Sequence, residues 1–248
     1  MAATRIDTRT GNEERFDYFG SAPDFKFGRL LSPAGAAHSA VLIAASIDAD
    51  EGLAEPARGV SRLLAARGHI VLRFDYRGQG QSLGRALDLD LEVMAADVGE
   101  ALAWLEATAS IERMALLGIG LGATAAAMTP SATGLPLAVW EPVPELDSLL
   151  HRLARAKLAV EMGFASDGGS YDGRSLADIV ADDLARDEFE RYGFFDAGGF
   201  EIGSPLRDSA REHNLLDALA SSPRPLFLAA AADVAGLFAE RGLEAGVH

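Results

Sequence analysis

With 248 residues, 49% of them hydrophobic and 24% charged, the chain has the composition of a globular protein large enough for one domain with an insertion. The absence of cysteine excludes disulfides, thiolate nucleophiles and thiolate metal sites. A formal charge of −15 argues against nucleic acid or an anionic membrane surface as a partner. No apolar run approaches the roughly 18 residues of a membrane helix, and residues 1–16 hold no apolar signal core; together these point to a cytoplasmic protein.

In chain order, residues 14–20 (ERFDYFG) and 25–31 (FKFGRLL) alternate around Ser21-Ala22-Pro23-Asp24, which predicts an antiparallel hairpin. Continuous apolar runs follow at 40–45, 69–74, 114–117, 137–140 and 226–230, separated by helical patterns at 55–67, 91–107 and 121–128. Near-continuous apolar strands imply burial on both faces, as in a parallel sheet covered by helices. Gly68 closes the first helix and Pro130 stops the third early.

Between Trp140 and Leu226 the alternation breaks. Residues 144–162 place Leu146, Leu149, Leu150, Leu153, Leu158 and Met162 at helical spacing, a stripe suited to a core or a dimer surface. A Gly-rich loop at 166–170, an acidic helix over 175–192 and GFFDAGGFEIGSPL come next. Insertions over the carboxyl ends of parallel strands commonly act as lids. Residues of about 141–222 therefore read as a cap within a single 1–248 domain.

The stretch 114–123, MALLGIGLGA, carries the most chemistry. A β-type run enters Gly118-Ile119-Gly120-Leu121-Gly122 and an Ala run leaves it, the strand–turn–helix context of a G-x-S-x-G nucleophile elbow. Gly120 stands where the serine would be. An elbow residue is held at positive φ, which costs on the order of 1–3 kcal/mol for a residue with a side chain and much less for glycine.

The hairpin, the strand–helix order, the loop Asp75-Tyr76-Arg77-Gly78-Gln79-Gly80-Gln81-Ser82 and the elbow together resemble the α/β-hydrolase fold. That fold is a mostly parallel sheet with an N-terminal antiparallel hairpin, helices on both faces and a helical cap. VWEPV at 139–143, the HRLARAKLAVEM helix and FEIGSPLRDS resemble the exosortase-A-associated hydrolases of the second type. The resemblance implies that Gly120 holds the nucleophile position, vacant here, and that Asp233 holds the position of the triad acid. It further implies oxyanion donors at the backbone N–H of Leu121 and near Ile47. The histidine should follow a further strand, and the sequence stops at His248, about where that strand would begin.

Other readings compete. Gly118 to Ala123 also fits the dinucleotide fingerprint G-x-G-x-x-A, with Glu141 about 20 residues on, although Pro130 leaves that helix barely two turns. Asp48, Asp75, Glu141 and Asp233 each fall just past a strand, where a metal site or an acid–base pair could be built. The plainer expectation is that Asp75 binds its own turn and that Glu141 is solvated or pairs with Arg152 or Arg155. His38, His69, His151 and His213 read as surface or satisfied groups. Ser82 reads as a turn residue, and Ser46 as the hydroxyl nearest the pocket, with no assignable base. The leading expectation is an α/β-hydrolase-fold protein without a working Ser-His-Asp triad, with a ligand-binding or regulatory role. The alternative is an esterase-like enzyme with an unorthodox site acting on a small acyl or ester substrate. Neither calls for a cofactor or a metal. The partner is a small-molecule ligand or another protein, a homodimer included.

Overall fold

The computed structural model describes residues 3–8, 10–47, 54–109, 111, 113–162, 170–171, 174–222, 224–230, 237–238, 240–241, 243 and 246–247. Strands β1 (Ala3–Ile6), β2 (Glu13–Phe19) and β3 (Lys26–Ser32) form an antiparallel meander. The β2–β3 pair is the hairpin expected from alternation. Strand β1 was not foreseen, because its four residues are all exposed and carry no period-two signal.

The parallel set follows: β4 (Ser39–Ala44), α1 (Ala54–Ala66), β5 (His69–Phe74), α2 (Leu91–Ala109), β6 (Met114–Ile119), α3 (Leu121–Met128) and β7 (Leu137–Trp140). Strand β3 joins this set antiparallel to β5, and β5, β4, β6 and β7 run parallel. Helix α1 covers one face, where Ile43, Ala57, Val71 and Ile119 pack together. Helices α2 and α3 cover the other, against Leu42, Leu72, Phe74 and Leu116. Leu91, Met94, Val98, Ala101, Leu102 and Leu105 form the apolar stripe of α2, and Asp90 caps that helix by accepting from Val93 N–H at 2.6 Å.

The insertion contains α4 (Leu146–Met162), the two-residue strands β8 (Ser170–Tyr171) and β9 (Arg174–Ser175), α5 (Leu176–Tyr192), a hairpin of β10 (Phe194–Asp196) and β11 (Glu201–Gly203), α6 (Ser204–Glu212) and α7 (Leu215–Ser221). The leucine stripe of α4 is spent inside the chain: Leu146, Leu149, Leu150, Leu153 and Leu158 are all buried in the main core. Helices α6 and α7 lie against α2 and α3 respectively. Strands β12 (Leu226–Ala229) and β13 (Gly246–Val247) then extend the sheet in parallel, giving the order β1-β2-β3-β5-β4-β6-β7-β12-β13. The last strand was expected to begin near His248. Instead Gly246 and Val247 already pair with Phe227 and Leu228.

One ion network crosses the core. Lys26 on β3 and Asp97 on α2 are 1% and 0% exposed, which makes each a costly charge to leave alone. Asp97 accepts from Arg77 N at 2.9 Å, Nε at 3.0 Å and Nη2 at 2.6 Å, and Lys26 Nζ lies 3.4 Å from Asp97 and 2.7 Å from Glu100. The Arg77 loop, β3 and α2 are thus tied at one point. Asp97→Ala strands Lys26 and Arg77 beside the core, and urea denaturation should show a loss of about 3–5 kcal/mol.

Candidate functional site

Three glycines shape the β6–α3 turn for different reasons. A Cβ on Gly118 would lie 2.4 Å from Ala123 Cα, and one on Gly122 would lie 2.2 Å from Ala44 O. Both are too close for any side chain, so the first turn of α3 presses directly on the end of β4. Gly120 serves another need. It sits at φ 57°, ψ −128°, immediately before α3, in a region essentially reserved for glycine unless the surroundings compel it. Its N–H donates to Trp140 O at 3.1 Å, which ties the turn to the end of β7.

The N–H of Leu121, expected as an oxyanion donor, points at a hydroxyl of the protein itself. It donates to Ser46 Oγ at 3.4 Å, a long and weak bond, and Ser46 is buried. Ile47, also buried, follows in the turn after β4. Ser46 and Ile47 line a cavity of about 400 Å³ together with Asp75, Tyr76 and residues 79–81. The structure therefore brings Gly120, Leu121, Ser46 and Ile47 together at the carboxyl ends of β4 and β6. Sequence reasoning gave Ser46 no partner. Its only signal is a small hydroxyl directly after an apolar strand.

Asp75 reaches the same cavity, but its carboxylate is occupied. Arg29 grips it with two nitrogens at 2.7 and 3.2 Å, and Gln81 N–H adds a third bond at 3.1 Å. A Cβ at Gly80 would lie 2.4 Å from Asp75 Oδ2, so glycine is needed for the loop to close over this carboxylate. Ser82 accepts from Phe27 N–H at 2.8 Å and donates to Asp75 O, which confirms its place as a turn residue. The Tyr76 hydroxyl is buried without a hydrogen-bond partner among the described residues. Burial, with the charge of Asp97, pushes its ionisation well above the ordinary range, so the phenol stays neutral.

Glu141 has an exposed side chain and a left-handed backbone at φ 44°. It precedes Pro142, which also disfavours that conformation. Its N–H donates to Ala229 O at 2.9 Å, and register places it beside Gly120, since Ile119 pairs with Trp140. The suggested partner Arg155 is engaged elsewhere: it bonds Asp178, which also accepts from His151, and His151 contacts Asp182 at 2.6 Å. His213 pairs with Glu92 at 2.6 Å, so both histidines are satisfied. Asp48, Asp233 and His248 lie outside the described residues.

The nucleotide fingerprint fits poorly here. In that motif the glycine turn follows the first strand of its unit, whereas β6 is preceded in the chain by β4, α1, β5 and α2. The N-terminus of α3 also faces Ser46 rather than an open phosphate cradle.

The fold as a whole superposes on a set of solved structures. Est1E from Butyrivibrio proteoclasticus, solved with ferulic acid bound, superposes with a TM-score of 0.63 at 13% identity, over 94% of this chain and 88% of that one. The fold is that of the α/β-hydrolases. An esterase of Pyrococcus furiosus gives 0.57 at 16% identity, over 96% of this chain and 80% of that one. Mouse alpha/beta hydrolase domain-containing protein 10 gives 0.52 at 20%, over 86% and 76%. No protein-family model and no curated relative matches the chain, so the likeness is one of architecture.

The glycine geometry makes two contrasting expectations. Gly122→Ala must displace the Ala44 carbonyl and should cost about 1–3 kcal/mol or more by chemical denaturation. Gly59→Ala, in α1 with open space around it, should stabilise by about 0.5–1 kcal/mol in the same assay.

Proposed function

We propose that the chain is a hydrolase-like protein that holds a small acyl or ester ligand against the first turn of α3, and that position 120 forms no covalent bond to it. The observation that carries this reading is Gly120 itself: it turns the chain at φ 57°, ψ −128° between β6 and α3, and it has no side-chain atom that can attack. A ligand carbonyl oxygen would replace Ser46 Oγ as acceptor of the Leu121 N–H, exchanging a 3.4 Å bond for a shorter one. The positive end of α3 favours partial negative charge at that point. Ile47, Phe74 and Tyr76 supply apolar wall and Gln79 and Gln81 supply amides at the cavity. In this reading the 141–222 insertion closes over the ligand as a cap. The segments VWEPV and FEIGSPLRDS support a place near the exosortase-A-associated hydrolases of the second type, and the role is binding or regulation in a cytoplasmic setting.

A second reading is hydrolysis by an unorthodox site on the same ligand class. Its support is that solved structures of this architecture carry esterase and hydrolase names, and that Ser46 places a hydroxyl beside the Leu121 N–H. The two readings differ in whether a side chain attacks the ligand carbonyl, which saturable turnover reports.

The purified chain should hydrolyse 4-nitrophenyl acetate no faster than a heat-unfolded sample. Saturable turnover that persists at high purity and falls with Ser46→Ala or Asp233→Asn would replace the first reading with the second. Saturation-transfer NMR with phenyl acetate should detect binding to the native chain and lose it in Gly120→Leu, with the circular dichroism spectrum unchanged. Affinity untouched by that substitution would place the ligand elsewhere.

A further inference from the structure

The insertion is built on the contact between α4 and α5, and the charges of the two helices are spaced to meet. On α5 the sequence places Asp178 and Asp182 four residues apart, hence on one face of the helix, where like charges destabilise. On α4 the same spacing puts His151 and Arg155 on one face. The structure sets these faces against each other. His151 Nδ1 lies 2.6 Å from Asp182 Oδ1, its Nε2 lies 3.1 Å from Asp178 Oδ1, and Arg155 also bonds Asp178. The imidazole is half-buried between the two carboxylates.

A neutral imidazole has one N–H and one lone pair, and an ionised carboxylate can only accept. Both contacts are therefore hydrogen bonds only when the ring carries two protons. The other histidine contacts impose no such condition: His213 meets Glu92 through Nε2 and His69 meets Ser39 through Nδ1, and a neutral ring serves either one. Further charged groups face His151 among the described residues. Arg155 and Arg152 are on α4, the latter itself engaged, and from α6 Arg211 holds Asp147 at 2.9 Å one turn back along α4. Asp178 and Asp182 make further interactions of their own, so what His151 controls is its pair of ring contacts and not the net charge around it. A second tie between the helices, Lys157 Nζ to Glu188 at 2.7 Å, involves no histidine.

We propose that the α4–α5 contact is a proton-operated clasp on the insertion, closed when His151 is an imidazolium and loosened when the ring is neutral. Loss of the second proton turns one ring nitrogen into a lone pair facing a carboxylate oxygen, so an attraction becomes a repulsion. It also leaves Asp178 and Asp182 one turn apart with less positive charge between them. The sign follows from the geometry: a contact that needs the protonated ring is present at lower pH and is lost as pH rises. Helix α4 starts at Leu146, a short loop after the end of β7, and Trp140 at that end accepts from Gly120 N–H. In the reading of 141–222 as a cap, loosening this helix opens the ligand site. That consequence rests on the proposed function, and the clasp itself does not.

Nitrogen-15 NMR of the full chain labelled in its histidines reads the ring directly: at about pH 5.5 both His151 nitrogens should carry a proton. Amide hydrogen exchange, corrected for the intrinsic effect of pH, should show protection in α4 and α5 falling about tenfold between about pH 5.5 and pH 8.5, while α2 changes by about twofold or less. His151→Gln should remove this dependence and keep the native circular dichroism spectrum, whereas His213→Gln should retain the dependence. Phenyl acetate affinity should weaken at the higher pH in step with the protection. A single ring proton at the lower pH, protection in α4 and α5 that tracks α2, or an undiminished dependence in His151→Gln would overturn the clasp. Changed protection beside unchanged phenyl acetate affinity would uphold the clasp and remove the cap reading, so the two failures are told apart.

Discussion

The structure turns on how closely the first turn of α3 approaches the end of β4. At Gly122 the helix backbone lies against the Ala44 and Ala45 carbonyls with no room for a methyl group. That contact fixes the direction in which α3 leaves the sheet, and with it the Leu121 N–H beside Ser46. It also forces the connection from β6 into a single residue, so Gly120 must reverse the chain at positive φ. An eight-residue helix, half of it alanine, could not hold this geometry by propensity alone. Burial of nearly its whole surface does so: Leu121 and Ala123 to Ala127 are all buried.

The cavity's other wall depends on charges rather than glycines. Asp75 and Asp97 bracket the 75–82 loop, the first held by Arg29 and Gln81 and the second by Arg77 and Lys26. Both carboxylates are therefore structural anchors, although one of them lines the cavity. The full occupation of Asp75 shows why a carboxylate just past a strand is not by itself a catalytic acid. Glu141 is the contrasting case: it is exposed, strained and beside Gly120, and local energetics alone give no reason for a glutamate there.

Much of the architecture was legible because its signals are local. The apolar runs of β5, β7 and α3 begin and end where the sequence placed them, since burial on both faces of a parallel sheet leaves long unbroken stretches of Val, Ile, Leu and Ala. The insertion was harder. Helices α6 and α7 are short and polar on one side, and they are stabilised by docking on α2 and α3 rather than by their own pattern. The edge strand β1 escaped notice because its stability comes from pairing with β2.

The sequence by itself determined that position 120 carries no nucleophile and that glycines flank it at a strand–helix junction, because side-chain identity and short-range sterics are written residue by residue. Tertiary structure alone decided which hydroxyl meets the Leu121 N–H, that Asp75 is consumed by Arg29, and that His151 meets two aspartates of α5. Those outcomes join residues as many as 75 positions apart. The partners of a polar group are chosen by which strands lie adjacent and which faces α1 and α3 cover, and no local period records that choice.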